Sequence, residues 1–289
     1  MAQQRSAPRI PPEPLFVLGG ISQYIGAAIA VELFEFLPAR NVALLRVIGA
    51  SLLVIAFRRS WRREWTRSAF WAAAAFGSVL AAMNLAFYLA IDNLPLGNAV
   101  AIEFLGPISV AAFGARSGRS VGSLVLAGGG VALIAGIQPE GSLVGIGFAL
   151  LAALLWAGYI VLGHRVARSG FGVDGLGVGM AVGALVIAPV AGPGLSIERP
   201  GLLLLALLTG LLSNAIPYGI DQVVMSHLTR ARFALLQSLL PVTAALMGLL
   251  ALGQQLRVLE WVGIAAVAVA IWLGSSTTEP DVVSSGVGA

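Results

Sequence analysis

Glu103-Phe104-Leu105-Gly106-Pro107-Ile108-Ser109-Val110-Ala111-Ala112 and Gln237-Ser238-Leu239-Leu240-Pro241-Val242-Thr243-Ala244-Ala245 read as one motif written twice. Pro107 falls on Pro241, and the approaches Leu94-Pro95-Leu96-Gly97 and Leu228-Thr229-Arg230-Ala231 keep the same offset. Both copies lie within apolar stretches of the length that crosses a bilayer, about 20 residues. Such self-similarity divides a chain into repeated units, here near Gln138 to Gly141. The prolines have a further consequence. Each lacks an N–H and frees the carbonyl four residues earlier, at Glu103 and at Gln237. A freed carbonyl persists inside a membrane only where protein, water or a ligand satisfies it. A polar side chain and a free carbonyl therefore meet at one depth in each unit. Glu103 lies roughly 12 Å into its stretch at about 1.5 Å per residue, near the middle.

Working outward, the whole chain has the same character. Of 289 residues 58% are hydrophobic and 10% charged, with a mean hydropathy of +0.93. A soluble domain carries about 25% charge, so most of this surface is made for lipid. Apolar stretches bounded by Arg, Pro or acidic residues predict ten spans. They cover residues 15–34, 41–57, 69–90, 95–115, 120–137, 143–163, 172–191, 201–222, 231–251 and 257–274. Residues 1–14 are polar and proline-rich and are expected to be disordered, as is the tail 275–289. The first apolar stretch lacks a cleavage site and reads as a retained span.

Arginine placement orients the spans. Arg5, Arg9, Arg58, Arg59, Arg62, Arg63, Arg67, Arg116, Arg119, Arg165, Arg168, Arg230 and Arg232 fall on one side. The other side has Arg40, Arg199 and Arg257, and Arg46 lies within span 2. The positive-inside rule makes both termini cytoplasmic. Trp61 and Trp65 suit an interfacial belt. The basic balance (pI 10.3) thus reports orientation, and nucleic acid is not an expected partner. With five spans each, residues 15–139 and 140–274 form halves of opposite orientation. The expected fold is all-α: ten transmembrane helices as two inverted five-helix repeats. Inverted repeats of this kind build many secondary transporters, with substrate bound near the midplane.

Composition removes several chemistries. The chain has no cysteine, and all 17 basic residues are arginine. Disulfides, thiolate nucleophiles and thiolate metal sites are excluded, as are a P-loop and a pyridoxal Schiff base, which need lysine. His164 and His227 fit no metal spacing and lie near span ends, where solvation is expected. No cofactor, metal or catalytic residue is expected, and the chain does not read as an enzyme.

Met83-Asn84-Leu85-Ala86-Phe87-Tyr88-Leu89, Pro95-Leu96-Gly97 and Ala101-Ile102-Glu103-Phe104-Leu105-Gly106-Pro107 resemble the drug/metabolite transporter superfamily, in particular its EamA-type bacterial exporters of threonine and homoserine. Leu45-Arg46, Phe57-Arg58-Arg59-Ser60-Trp61-Arg62, Trp156-Ala157-Gly158-Tyr159-Ile160, Ile216-Pro217-Tyr218 and Leu252-Gly253-Gln254-Gln255-Leu256 fit the same pattern. In those exporters an acidic residue directly precedes the span 9 proline; Leu240 stands there in this chain. The departure bears on cargo more than on fold. The resemblance implies proton-driven export of small amino acids or related metabolites across the bacterial inner membrane.

Candidate site residues follow from polarity inside the spans. Glu103 is the foremost, since a mid-membrane carboxylate is costly and faces a cavity or a partner. It could bind a substrate ammonium when ionised and release it when protonated; the alternative is a structural carboxyl bonding a neighbouring helix. Asp221, four residues after Pro217, is a second proton site or an interfacial polar residue. Arg46 snorkels or pairs with Glu32 or Glu35; otherwise it holds a substrate carboxylate or Glu103. Asn84 and Tyr88 share a face of span 3. Gln23 and Tyr24 in span 1 occupy places comparable to Trp156 and Tyr159 in span 6. These aromatic residues, with Tyr218, could hold an ammonium by cation–π contact or simply pack. Gln237 completes the set, with Pro107 and Pro241 as helix breakers. Gly175, Gly179 and Gly183 form a close-packing stripe, within the chain or at a dimer contact, and Gly128-Gly129-Gly130 reads as packing or flexibility. The expected partners are a small-molecule substrate, protons and lipid, in a monomer or homodimer. The same fold would serve an exporter of a drug or another metabolite. A lipid-modifying membrane enzyme would need a catalytic cluster that the sequence lacks, and a non-transporting partner subunit is the remaining alternative.

Overall fold

A computed structural model describes residues 11–115, 117–137, 142–195, 200–252 and 255–275. The terminal stretches expected to be disordered lie outside these for residues 1–10 and 276–289, as do Arg116, Arg199 and the expected division at Gln138 to Gly141. The described residues are helical throughout, without strands. The helices are α1 (Pro12–Glu32), α2 (Ala39–Arg58), α3 (Arg67–Ile91), α4 (Leu96–Glu103), α5 (Leu105–Phe113), α6 (Gly118–Ala135), α7 (Leu143–Arg168), α8 (Gly172–Ala191), α9 (Pro200–Gly210), α10 (Ile216–Met225), α11 (Arg230–Leu236), α12 (Leu239–Leu252) and α13 (Val258–Ser275). Eight continuous helical stretches are long and apolar enough to cross a membrane, and α13 is a shorter apolar one. The protein is a multi-pass membrane protein.

Two details differ from the expected spans. Helix α1 starts at Pro12, so residues 12–14 are helical and not part of a disordered leader; proline suits a first helical turn, where its missing N–H is not needed. The ninth expected span is divided into α11 and α12 by Gln237 and Ser238. Elsewhere local chemistry sets the ends. Thr66, Ser117, Ser142 and Thr229 cap α3, α6, α7 and α11, each accepting a backbone N–H with its hydroxyl oxygen, a cap worth about 1 kcal/mol. Arg59 closes α2 in the left-handed region at φ 54°.

Helix α3 is central, packed along α7 and α8. Helix α2 lies on α8 and α9, α1 on α10 and α12, and α4 and α5 on α7. Helix α5 also meets α11, and α6 pairs with α13 at the side of the bundle. The interior is built from Phe76, Leu80, Tyr159, Leu176, Met180 and Phe233, all essentially without exposure. Outward faces carry Leu154, Leu185, Leu250 and Phe113, in keeping with a lipid-facing surface. Small residues let the helices approach. A β-carbon on Gly77 would overlap the backbone of Gly179, and one on Gly183 would overlap the carbonyl of Gly77. The stripe on α8 therefore packs within the chain, against α3. Gly130 and Gly263 do the same for α6 and α13: each added β-carbon would lie 2.6–2.7 Å from the other glycine's carbonyl oxygen.

One end of the bundle is tied by a buried carboxylate. Asp174, at the start of α8, accepts hydrogen bonds from Ser60 Oγ at 2.8 Å and Arg58 Nη2 at 3.1 Å, with Arg63 Nε at 3.9 Å. Trp65 stacks on Phe171 and donates to the carbonyl of Ser60, so it is held against this knot. Both guanidiniums are about half exposed, so the ion pairs themselves contribute little. Asp174→Ala would leave the buried Ser60 hydroxyl without its acceptor, at a cost of about 1–3 kcal/mol. The expected result is a lower thermal unfolding midpoint of the detergent-solubilised protein, with Arg58→Ala showing a smaller drop.

Candidate functional site

Both proline-containing spans break at the polar position. Helix α4 ends at Glu103 and α5 begins at Leu105, while α11 ends at Leu236, with Gln237 and Ser238 in the turn before α12. Pro107 and Pro241 lie just beyond the two interruptions. A third span is irregular: between α9 and α10 runs a π-helical turn, Leu211–Ala215, directly before Pro217. Such turns widen a helix and often mark functional positions. The irregular segments bring Glu103, Gln237, Ser213 and Asn214 into the interior, and all four are buried.

A hydrogen-bonded chain runs through the middle of the bundle. Tyr159 on α7 donates to Asp221 Oδ2 on α10 at 2.6 Å, and the Gln237 side chain lies close by. The Gln237 side-chain Oε1 has no partner among the described residues, while its backbone carbonyl accepts from the Leu240 N–H at 3.0 Å. The Tyr159 ring lies 5.5 Å from that of Tyr218. Tyr218 in turn receives a hydrogen bond at 3.2 Å from Asn84 on α3, whose amide also bonds the carbonyl of Leu80. Glu103 lies near enough to Tyr24 and Tyr218 to act on both electrostatically. Tyr24 donates to the carbonyl of Leu240 at 2.9 Å, one of the backbone oxygens beside the α11–α12 break.

Arg46 forms the other end of the set. Its Nε donates to Ser213 Oγ at 2.8 Å and its Nη2 to Asn214 Oδ1 at 3.2 Å, and its guanidinium lies 5.4 Å from the centre of the Tyr88 ring. It is 5% exposed. Arg46 thus does not snorkel, and its bonds go to the π-helical turn instead of Glu32 or Glu35. The reason is geometric: a side chain on the α9-facing side of α2 meets the widened turn before it can reach solvent.

The other expected residues are placed as follows. Asp221 is buried against Tyr159 and Gln237, not set at an interface. Trp156 is half-buried, edge-on to Phe104 beside the α4–α5 break. Gln23 is half-buried next to Tyr24, outside the hydrogen-bonded set among the described residues. His164 is buried and edge-on to Phe233, which corrects the expectation of a solvated end; α7 continues past it to Arg168. His227 is exposed. Sequence reasoning missed Ser213 and Asn214. The signal was available, because Pro217 frees the carbonyl of Ser213 by the same rule that singled out Glu103 and Gln237.

The arrangement places two carboxylates, one arginine, three amides and several tyrosines in one interior, where helices are interrupted. It can bind a small polar molecule and move a proton. Comparisons with known proteins point to a membrane transporter. Residues 143–276 match the EamA-like transporter family. The chain is 32% identical over 265 residues to the threonine/homoserine exporter RhtA of Salmonella typhimurium (strain SL1344), covering 89% of each. It is 32% identical over 258 residues to the exporter of the same name from Escherichia coli (strain K12), covering 88% of this chain and 87% of that one. A crystal structure of a protein 18% identical in sequence superposes with a TM-score of 0.68, over 90% of this chain and 96% of the other, so the fold is shared.

Proposed function

The chain belongs to the EamA-like transporter family, and from that standing we propose that it exports small, threonine- or homoserine-like amino acids across a bacterial inner membrane by proton-coupled alternating access. The observation that carries this reading is the buried set around Glu103, Tyr218 and Asp221, at helix breaks, in a chain whose relatives are named exporters. Broken helices at a repeat interface are where transporters of this architecture hold substrate.

The packing supports two inverted halves. Positions 133 or 134 apart recur in matching roles: Glu103 with Gln237, Pro107 with Pro241, Asn84 with Tyr218, Gly130 with Gly263 and Asn41 with Asp174. Asn84 bonds Tyr218, and Gly130 touches Gly263, so these pairs lie where a two-fold axis relating the halves would pass. Asn41 donates to the carbonyl of Ala191 at 2.6 Å, tying α2 to the far end of α8, much as Asp174 ties α8 to the far end of α2. The arginine bias supports cytoplasmic termini. Rocking one half against the other would expose the centre to each side in turn.

Glu103 serves this cycle as the exchanging carboxylate. Ionised, it holds the substrate ammonium; protonated from outside, it lets it go. A ligand shifts such an equilibrium only by its different affinity for the two states, so Glu103 changes solvent exposure between them. Counterflow in proteoliposomes tests the function. Labelled threonine or homoserine should accumulate only in vesicles preloaded with the unlabelled amino acid, and an acid exterior should accelerate efflux. Well-folded protein without flux for either compound would redirect the cargo to other metabolites on the same fold.

A further inference from the structure

We infer that Arg46 is the anion anchor of the transport pathway, a site for a carboxylate on the cargo; the inference rests on the transporter reading above and deepens it. A guanidinium cannot be neutralised by losing its proton under ordinary conditions, so burying one demands a compensating negative group. The buried charge of Asp174 answers that demand with ion pairs. Asp174 has Arg58 and Arg63 beside it. Arg46 is 5% exposed, yet its two side-chain partners, Ser213 Oγ and Asn214 Oδ1, are both neutral. Among the described residues no carboxylate lies within ion-pair distance of it.

The neutral partners orient the group without satisfying its charge. Ser213 has its own proton committed to the carbonyl of Thr209 at 2.6 Å, which points its lone pairs at Arg46 Nε. Asn214 fixes Nη2, and the Tyr88 ring fixes the plane. Three of the five N–H donors of a guanidinium remain beyond these two bonds, on a group held still by three helices. A planar fork of that kind matches a carboxylate's two oxygens. Its holder is the π-helical turn of the span that also carries Tyr218 and Asp221, so an anion bound at Arg46 would be sensed by the rest of the set through one irregular segment.

The test reads heat stabilisation of the purified protein in detergent, because a ligand that binds the folded state raises its unfolding temperature once its concentration exceeds its dissociation constant. The probes are L-threonine, L-homoserine and L-lactate, each a carboxylate, beside 1-amino-2-propanol, which is threonine without its carboxyl group. Wild type is expected to respond to at least one carboxylate and to need roughly 100-fold more 1-amino-2-propanol, the loss of a charge-assisted bidentate contact. Arg46→Gln should remove the response to carboxylates. Arg46→Lys, which keeps the charge and loses the fork, should raise the half-stabilising carboxylate concentration about tenfold and leave that of 1-amino-2-propanol unchanged; it decides the matter if the Gln variant does not fold. No carboxylate stabilising wild type, or an unchanged carboxylate response in the variants, overturns the inference. Stabilisation by lactate and not by the amino acids would leave Arg46 as the anchor and overturn the amino-acid cargo instead.

Discussion

Glu103→Gln is expected to reduce threonine or homoserine exchange on the order of 30- to 1,000-fold, and to leave the residual flux indifferent to an imposed proton gradient. The size follows from what the substitution removes. An ammonium held by a buried carboxylate loses about 2–4 kcal/mol when that charge is deleted, and each ~1.4 kcal/mol is a factor of ten. The shape of the side chain is kept, so the α4–α5 break and its packing against α7 should survive. Indifference to the gradient is the more discriminating half of the result, since a structural carboxyl would cost rate without altering coupling. Glu103→Asp should recover part of both. Normal exchange by Glu103→Gln, still accelerated by external acid, would remove Glu103 from the mechanism and send the search to Asp221, whose hydrogen-bond partner Tyr159 lies on α7.

Gly77→Ala carries the other large effect, on folding and not on chemistry. Alanine is ordinarily preferred over glycine within a helix by about 1 kcal/mol. At Gly77 the added carbon would occupy the space of the Gly179 backbone, on the seam between α3 and α8. No rotamer relieves a clash with a main chain, so the helices must separate along their length and forfeit close contact, at a cost of about 3 kcal/mol or more. Little monodisperse protein should be recovered. Gly129→Ala is the matched control, because nothing lies within 4 Å of its added carbon. Equal yields and unfolding midpoints for Gly77→Ala and wild type would show that the seam is looser than the backbone contact implies.

Much of the fold was legible because lipid simplifies the code. Apolar length marks a span whatever its partners, and the expected stretches lie within a few residues of the helices. The two interruptions were legible through Pro107 and Pro241, since the lost N–H acts locally. Burial of polar residues was harder to read. Arg46 looked like a snorkelling residue because its distance from the end of span 2 was known and the widened turn beside it was not. Asp174 drew no notice in the sequence, yet Arg58 at the end of α2 and Ser60 and Arg63 just after it converge on it. His164 was misread for the same reason: position along a helix was known, while the face pointing at Phe233 depends on how α11 docks. Ser213 and Asn214 needed only a third application of the proline rule.

The pairing of α6 with α13 has a consequence for synthesis. Gly130 meets Gly263, so α6 must await a partner encoded 133 residues later. At ~5–20 residues per second the delay is roughly 7 to 27 s, during which the side of α6 that carries Gly130 lacks α13. Helix α3 waits likewise for α8, and α2 for α9. These seams join segments distant in the chain, and α13 is the last of the described helices to be made. A chain cut before α13 would therefore lose the contact that Gly130 on α6 makes with Gly263.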